Sequence, residues 1–225
     1  MGGFFMQQDE FHACFPTHIG VISLREHQLF NEIQAELSEF IESQATFQYM
    51  EDWGKTHEVS ATAMNSMTKN DTDIIPPDLF QELSILPNIV EQEILSFAMS
   101  VNSDLHPIET TRNLRYHSSW LSRFNEGDYA HTHEHRPHLI SGVYYYQLPK
   151  ESKKRSGSFY IDSPVPFHHD GTIGMQPMDR IYVGEALPIQ EGTLILFPSY
   201  LSHGVTRNSE KTPRISASFN YGKNE

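Results

Sequence analysis

Four of the chain's thirteen histidines fall within eight positions: His131, His133, His135 and His138. They lie between two strand-like runs, Trp120 to Phe124 and Leu139 to Tyr146. In an extended chain successive side chains point to opposite faces. His131, His133 and His135 therefore make one column, with Thr132 and Glu134 on the other side. Neutral imidazoles in a column suit a first-row transition metal. A polar surface loop would carry the same residues, so the window alone leaves both readings open.

A second stretch favours the metal. Gly192 to Phe197 is an apolar strand, and the turn after Pro198 carries His203. Arg214 to Phe219 then alternates, with Arg214, Ser216 and Ser218 on one face and Ile215, Ala217 and Phe219 on the other. An arginine on an inward face needs an anionic partner, because a buried guanidinium is costly unless paired. The order is thus a histidine column, a distant further histidine, and a post for an anion.

The ordered set Arg123 to Tyr129, His133-Glu-His135, Ser141-Gly-Val-Tyr-Tyr145, Gly157-Ser-Phe159, Gly192 to Phe197, His203 and Arg214-Ile-Ser216 resembles the 2-oxoglutarate/Fe(II) oxygenase superfamily. The resemblance is to its prolyl-4-hydroxylase-like branch and covers about Trp120 to Tyr221; the N-terminal half matches only loosely. It implies a mainly β fold with flanking helices (α+β): a double-stranded β-helix, the jelly-roll or cupin-like barrel, buttressed by N-terminal helices. It also implies Fe(II) as cofactor, 2-oxoglutarate as cosubstrate, and hydroxylation of a small molecule or a peptide side chain. Carried over, His133 and His203 fall on metal ligands, and Arg214 falls on the residue that pairs with the far carboxylate of the oxoacid, with Ser216 beside it. Tyr129, four residues before His133, is placed to donate to that cosubstrate. His135 stands where the wider superfamily has a carboxylate, giving an expected set of His133, His135 and His203. Glu134 is the weaker alternative ligand. Asn220 and Ser199 are candidates for the hydrogen bonds that fix the imidazole tautomers.

The same residues admit a cupin reading: Gly127, five residues, His133-x-His135, then Gly192, five residues, Pro198, four residues, His203. Leu139 and Ile140 stand where the cupin glutamate is expected. A three-histidine dioxygenase that uses no oxoacid is therefore the alternative enzyme, and an inactive metal-binding β-helix that serves as an interaction module is the alternative without chemistry.

Composition bounds the rest. At 225 residues one domain is the natural expectation. It would span 1–225, with an N-terminal strand and buttress helices over 1–110 and a barrel over 111–225 carrying an insertion at 163–188. The balance of 29 acidic against 16 basic residues, net −13, argues against a nucleic-acid partner. Cys14 is the only cysteine, so no intrachain disulfide forms and a reducing, cytoplasmic setting is expected. No run suits a membrane span or signal peptide. Self-association into a homodimer stays open.

Before the barrel, Cys14 to Leu24 reads as an opening strand. Ser23-Leu-Arg-Glu26 has a capping-box pattern, ahead of a helix carrying Leu29, Phe30, Ile33, Leu37, Phe40 and Ile41. Asp78 opens a short helix and Pro87 a longer one that ends near Asn102. The stretch 56–73 has no clear period and reads as a long loop. Thr110 to Tyr116 is a candidate strand separate from the next. His168-His169-Asp170, inside the insertion, is a lid candidate.

Overall fold

The computed structural model describes residues 17–43, 45, 47–49, 57–60, 78–101, 113–149, 155–164 and 180–223. The 1–16 leader, most of 46–77 and the His168-His169-Asp170 cluster lie outside them. Eleven strands form two antiparallel sheets among the described residues. They are β1 (Gly20–Ser23), β2 (Phe47–Tyr49), β3 (Glu58–Ser60), β4 (Leu114–Phe124), β5 (Ala130–His133), β6 (Ile140–Gln147), β7 (Phe159–Asp162), β8 (Arg180–Tyr182), β9 (Thr193–Pro198), β10 (His203–Val205) and β11 (Arg214–Lys223). The large sheet runs β1-β9-β6-β11-β4-β3-β2 and the small one β5-β10-β7-β8. This is the expected double-stranded β-helix.

The helices are α1 (Phe30–Ser43), α2 (Leu79–Glu82), α3 (Leu86–Val101) and α4 (Val183–Ala186). Three of them cover the outer face of the large sheet. α1 buries Ile33, Leu37 and Phe40, and α3 buries Leu86, Ile89, Val90, Ile94, Phe97 and Ala98, one stripe each at helical spacing. They meet Leu121, Tyr144, Leu194, Leu196, Ala217 and Phe219 from the sheet. The other face packs Phe124, Val143, Tyr145, Ile195 and Phe197 against Ala130, Phe159, Ile161 and Val205 of the small sheet. Strand alternation thus sorts one strand into two cores: Tyr144 goes to the helices, while Val143 and Tyr145 go inside the barrel. β9 is apolar at successive positions because both its faces are covered.

Polar side chains lock the layers. Glu36 of α1 accepts from Ser84 N–H at 2.6 Å, Ser84 Oγ at 2.7 Å and Ile85 N–H at 3.1 Å, supplying acceptors at the start of α3, where helical donors have no partner of their own. Asp78 Oδ1 accepts from Ser119 N–H at 2.6 Å and Ser119 Oγ at 2.5 Å, and Phe80 N–H donates back to Ser119 Oγ at 2.8 Å. These bonds dock α2 on β4.

Three local expectations change. Ser23 to Glu26 does not cap α1: Ser23 pairs with Thr193 as a rung of the sheet, turns follow, and the helix begins at Phe30. From Leu114 on, the candidate strand at Thr110 to Tyr116 is continuous with Trp120 to Phe124; its first residues lie outside the described ones. Ser118 and Ser119, polar enough to read as a break, pair with Asn220 and Phe219 inside one strand from Leu114 to Phe124. Within the stretch read as a loop, Glu58 and Val59 pair with Arg123 and Ser122, so part of it extends the sheet.

The close approach of β6 to β11 depends on Gly142. A Cβ there would lie 2.3 Å from Phe219 Cζ and 2.8 Å from Leu196 Cδ2, and Phe219 is fully buried, so its ring has nowhere to go. Gly142→Ala is expected to cost about 1–3 kcal/mol through overpacking. Urea unfolding checks this: the midpoint should fall with little change in slope.

Candidate metal centre

β5 and β10 form one antiparallel pair, and it sets His133 opposite His203. The next rung joins Ala130 to Val205. Between the rungs β10 advances two residues and β5 three, so β5 carries a bulge. The extra residue resets the alternation. Ala130 and His133 both line the interior cavity, while His131 and Thr132 are exposed. His135 follows just past the strand end, held by its N–H donating to Ser199 C=O at 2.9 Å.

The side chains of His133, His135 and His203 converge, each offering a ligand atom within 4.8 Å of the others. Their ring centroids are 4.4 to 5.0 Å apart. All three present the same nitrogen. His133 Nδ1–H donates to His131 C=O at 2.7 Å, His203 Nδ1–H to Leu201 C=O at 2.8 Å, and His135 Nδ1–H to Asn220 Oδ1 at 2.8 Å. Carbonyl oxygens only accept, so each neutral ring carries its lone pair on Nε2. Burial keeps the rings neutral. It brings His135 from 6.5 down to about 4, helped by the nearby His133 and opposed by the Asn220 bond. His203 is lowered well below its ordinary value by burial first, then by His133 and His135. His133 is lowered by burial, against the His131 carbonyl.

The column expected from simple alternation is therefore altered. His131 turns outward, its Nε2 3.4 Å from Tyr129 Oη. Tyr129, expected on the cosubstrate side, does not line the cavity; its ring lies under the Arg207 guanidinium at 4.7 Å. The bulge accounts for both, since it breaks the period between Tyr129 and His133. Glu134 accepts from Ser202 Oγ at 2.8 Å and pairs with Arg136 at 2.7 Å, outside the histidine cluster.

Arg214 occupies the same cavity, a space of about 60 Å³ that Ser216, Ser218, Trp120 and Ser122 also line. It is 2 % exposed and lies between the rings of Phe124 at 4.9 Å and Tyr145 at 4.8 Å. Nη1 donates to Ser216 Oγ at 3.2 Å, and Nε has no hydrogen-bond partner among the described residues. No carboxylate pairs with it there. The buried Tyr145 hydroxyl is likewise unsatisfied. Arg214 and Tyr145 both also line a second space of about 570 Å³. Buried polar groups without partners are rare and costly, so the pair marks a place prepared for an acceptor.

One residue of this cavity carried little signal in the sequence. His57 immediately precedes β3, is 4 % exposed and stacks flat on Phe124 at 4.5 Å. Burial, then His133 and Arg214, lower it to about 4. It sits alone in a stretch without period, where only its sheet pairing gives it a place.

Residues 118–220 match a family described as "Putative 2OG-Fe(II) oxygenase". The segment holds the three histidines, Arg214 and Ser216; His57 lies before it. A search of curated protein sequences gives no match. Among solved structures, the chain is similar to a Pseudomonas putida prolyl-4-hydroxylase, with 11% identity and a TM-score of 0.54 over 93% of this chain and 94% of that one. It is also similar to HygX from Streptomyces hygroscopicus with nickel and 2-oxoglutarate bound: 13% identity, TM-score 0.54, 92% and 82% coverage. A third is the epimerase SnoN in complex with Fe3+, alpha ketoglutarate and nogalamycin RO: 12% identity, TM-score 0.55, 92% and 79% coverage. The fold they share is the double-stranded β-helix. The family match covers residues 118–220, just under half of the chain, and that segment is similar to the 2-oxoglutarate/Fe(II) oxygenases.

The lowered histidines tie stability to pH. In the unfolded chain His57 and His135 take up protons below about 6.5, whereas folded they stay neutral down to about 4. The unfolded state then binds more protons, so stability is full above pH 6.5 and falls as pH drops toward 4. Urea midpoints of metal-free protein between pH 7.5 and 4.5 should show this fall, with a shallower one in His57→Gln.

Proposed function

We propose that the protein is a 2-oxoglutarate- and Fe(II)-dependent dioxygenase that hydroxylates a C–H bond of a small molecule or a peptide side chain. The observation that carries the reading is the meeting, in one cavity, of three Nε2-presenting histidines with a buried arginine that no carboxylate pairs among the described residues. The donor set fits iron: neutral imidazole nitrogens suit Fe(II), and their Nδ1–H bonds already fix which nitrogen is offered. The orphaned Arg214 Nε and Tyr145 hydroxyl fit the far carboxylate of the oxoacid.

Bound there, iron with 2-oxoglutarate and O₂ supplies oxidative decarboxylation to succinate and CO₂ coupled to hydroxylation. The chain's own part is placement. His133, His135 and His203 hold the metal from one side of the cavity. Arg214 and Tyr145 grip the carboxylate at the other, with Ser216 orienting the guanidinium. Phe124 and Tyr145 sandwich Arg214 and shield it from water, which strengthens its hold on an anion. Trp120, Val143, Phe197 and Val205 give the cavity apolar walls. The lone Cys14 supports a reducing compartment, the cytoplasm, as the place of work. The third histidine favours one second reading, a three-histidine dioxygenase that needs no oxoacid.

Anaerobic titration with Fe(II) and then 2-oxoglutarate, followed by the visible metal-to-ligand charge-transfer band, separates the two. The band is expected. Arg214→Ala should weaken 2-oxoglutarate by about 10–100-fold, since a hydrogen bond to a charged group is worth about 1.5–3 kcal/mol, and leave iron affinity nearly unchanged. Iron binding with no band in the wild type would favour the oxoacid-independent enzyme.

The outward turn of His131 gives a separate check. His131→Ala should keep the iron affinity of the parent, whereas His133→Ala should lose it; calorimetric titration reads both.

A further inference from the structure

Resting on the reading of His135 as a ligand, we propose that Asn220 is the positioning residue of the metal centre. Its amide oxygen holds His135 in the Nδ1–H form and so sets Nε2 of a neutral ring as the third ligand atom. The three histidines are not held alike. His133 and His203 each donate Nδ1–H to the backbone carbonyl two residues earlier, an acceptor any sequence would provide. His135 is held instead through a side chain, and that side chain lies 85 positions away in the sequence.

With Oδ1 of Asn220 toward His135, the bonds around Asn220 run in one direction. It occupies the next inward position of β11 after Arg214, Ser216 and Ser218, and is 4 % exposed. Oδ1 accepts from His135 Nδ1–H at 2.8 Å and from Ser141 Oγ–H at 2.7 Å, and Nδ2 donates to Ser118 Oγ at 3.1 Å. Ser141 spends its one hydrogen on Asn220, so Ser199, 2.7 Å away, donates to Ser141. The opposite tautomer of His135 would call for the flipped amide, with NH₂ toward Nδ1, so the tautomer and the amide orientation are set together. The network draws on β4, β6, β11 and the turn after β9. That turn also holds the His135 backbone through Ser199 C=O. Four residues thus converge on the orientation of one ring.

The choice of an amide matters chemically. A carboxylate at this position would draw the Nδ1 proton and make the ring a more basic, partly anionic ligand. Asn220 gives the same geometry without charge. None of the described residues lining the cavity is acidic, so the ligand set is neutral both at the rings and at the partner that tunes His135.

The test uses the full-length protein with Ni(II) or Co(II) alone as probe, and the variants Asn220→Leu and Asn220→Asp. Long-range imidazole ¹⁵N–¹H spectra of the metal-free wild type should show His135 as the Nδ1–H tautomer. Asn220→Leu should lose that single tautomer and bind Co(II) about 10–100-fold more weakly, the usual cost of removing such a partner. Asn220→Asp, which keeps the acceptor oxygen, should recover the tautomer and most of the affinity. An Nε2–H tautomer for His135 in the wild type overturns the proposal without any variant, which covers the case where Asn220→Leu fails to fold. Equal metal loss in both variants, or wild-type affinity in Asn220→Leu, overturns it as well. None of these readouts involves 2-oxoglutarate, so failure of the oxygenase reading would appear separately, as iron binding without the charge-transfer band.

Discussion

The rung that pairs His133 with His203 is the contact on which the site depends. It joins residues 70 positions apart through backbone hydrogen bonds of the small sheet. Because β5 carries one residue more than β10 between this rung and the next, the chain delivers His133 inward and throws His131 out. The large sheet supplies the other half of the arrangement. β11 runs between β4 and β6 in long register, and its alternation carries Arg214, Ser216, Ser218 and Asn220 to the barrel interior. Metal ligands and guanidinium thus come from different sheets, and the packing of Phe124, Val143 and Ile195 against Phe159 and Val205 fixes the distance between them.

Legibility in the sequence followed the strength of the local period. Arg214 to Phe219 alternates cleanly, and the structure puts each side chain where the alternation does. The apolar stripes of α1 and α3 were equally readable, because helical spacing over several turns leaves little choice of face. Failures occur where a tertiary pairing overrides a local pattern. Ser23 looks like a cap but is a sheet rung, since pairing with β9 satisfies its backbone first. Ser118 and Ser119 look like a break but are held as rungs by β11. The bulge in β5 has no composition signal, so His131 and Tyr129 were assigned to the wrong side by a rule that is sound for regular strands. His57 had no period around it, and its place follows only from the pairing of β3 with β4.

The electrostatics of the cavity are simple. Four histidines line it, and burial lowers all of them, so at neutral pH they carry no charge. Arg214 is then the one charged side chain among the described residues lining it. Burying a guanidinium this way is costly without an anion, and the aromatic faces of Phe124 and Tyr145 offset part of that cost. The interior is therefore biased toward anionic occupants by one residue, on walls that are otherwise uncharged.

The separate origin of β3 in the chain has an evolutionary consequence. The three histidines and Arg214 lie on one continuous half of the chain, whereas the wall formed by His57 and Val59 arrives from the other half, with β3 as the inner of two short strands added beyond β4. β3 is a short strand that meets β4 through Glu58 and Val59 and β2 on its other side, so its sequence changes with less disturbance than that of the long central strands. Lineages descended from such a chain are free to remodel one wall of the chamber while inheriting the ligand-bearing half intact. Diversification in what the chamber admits would then be written around residue 57 rather than among the histidines.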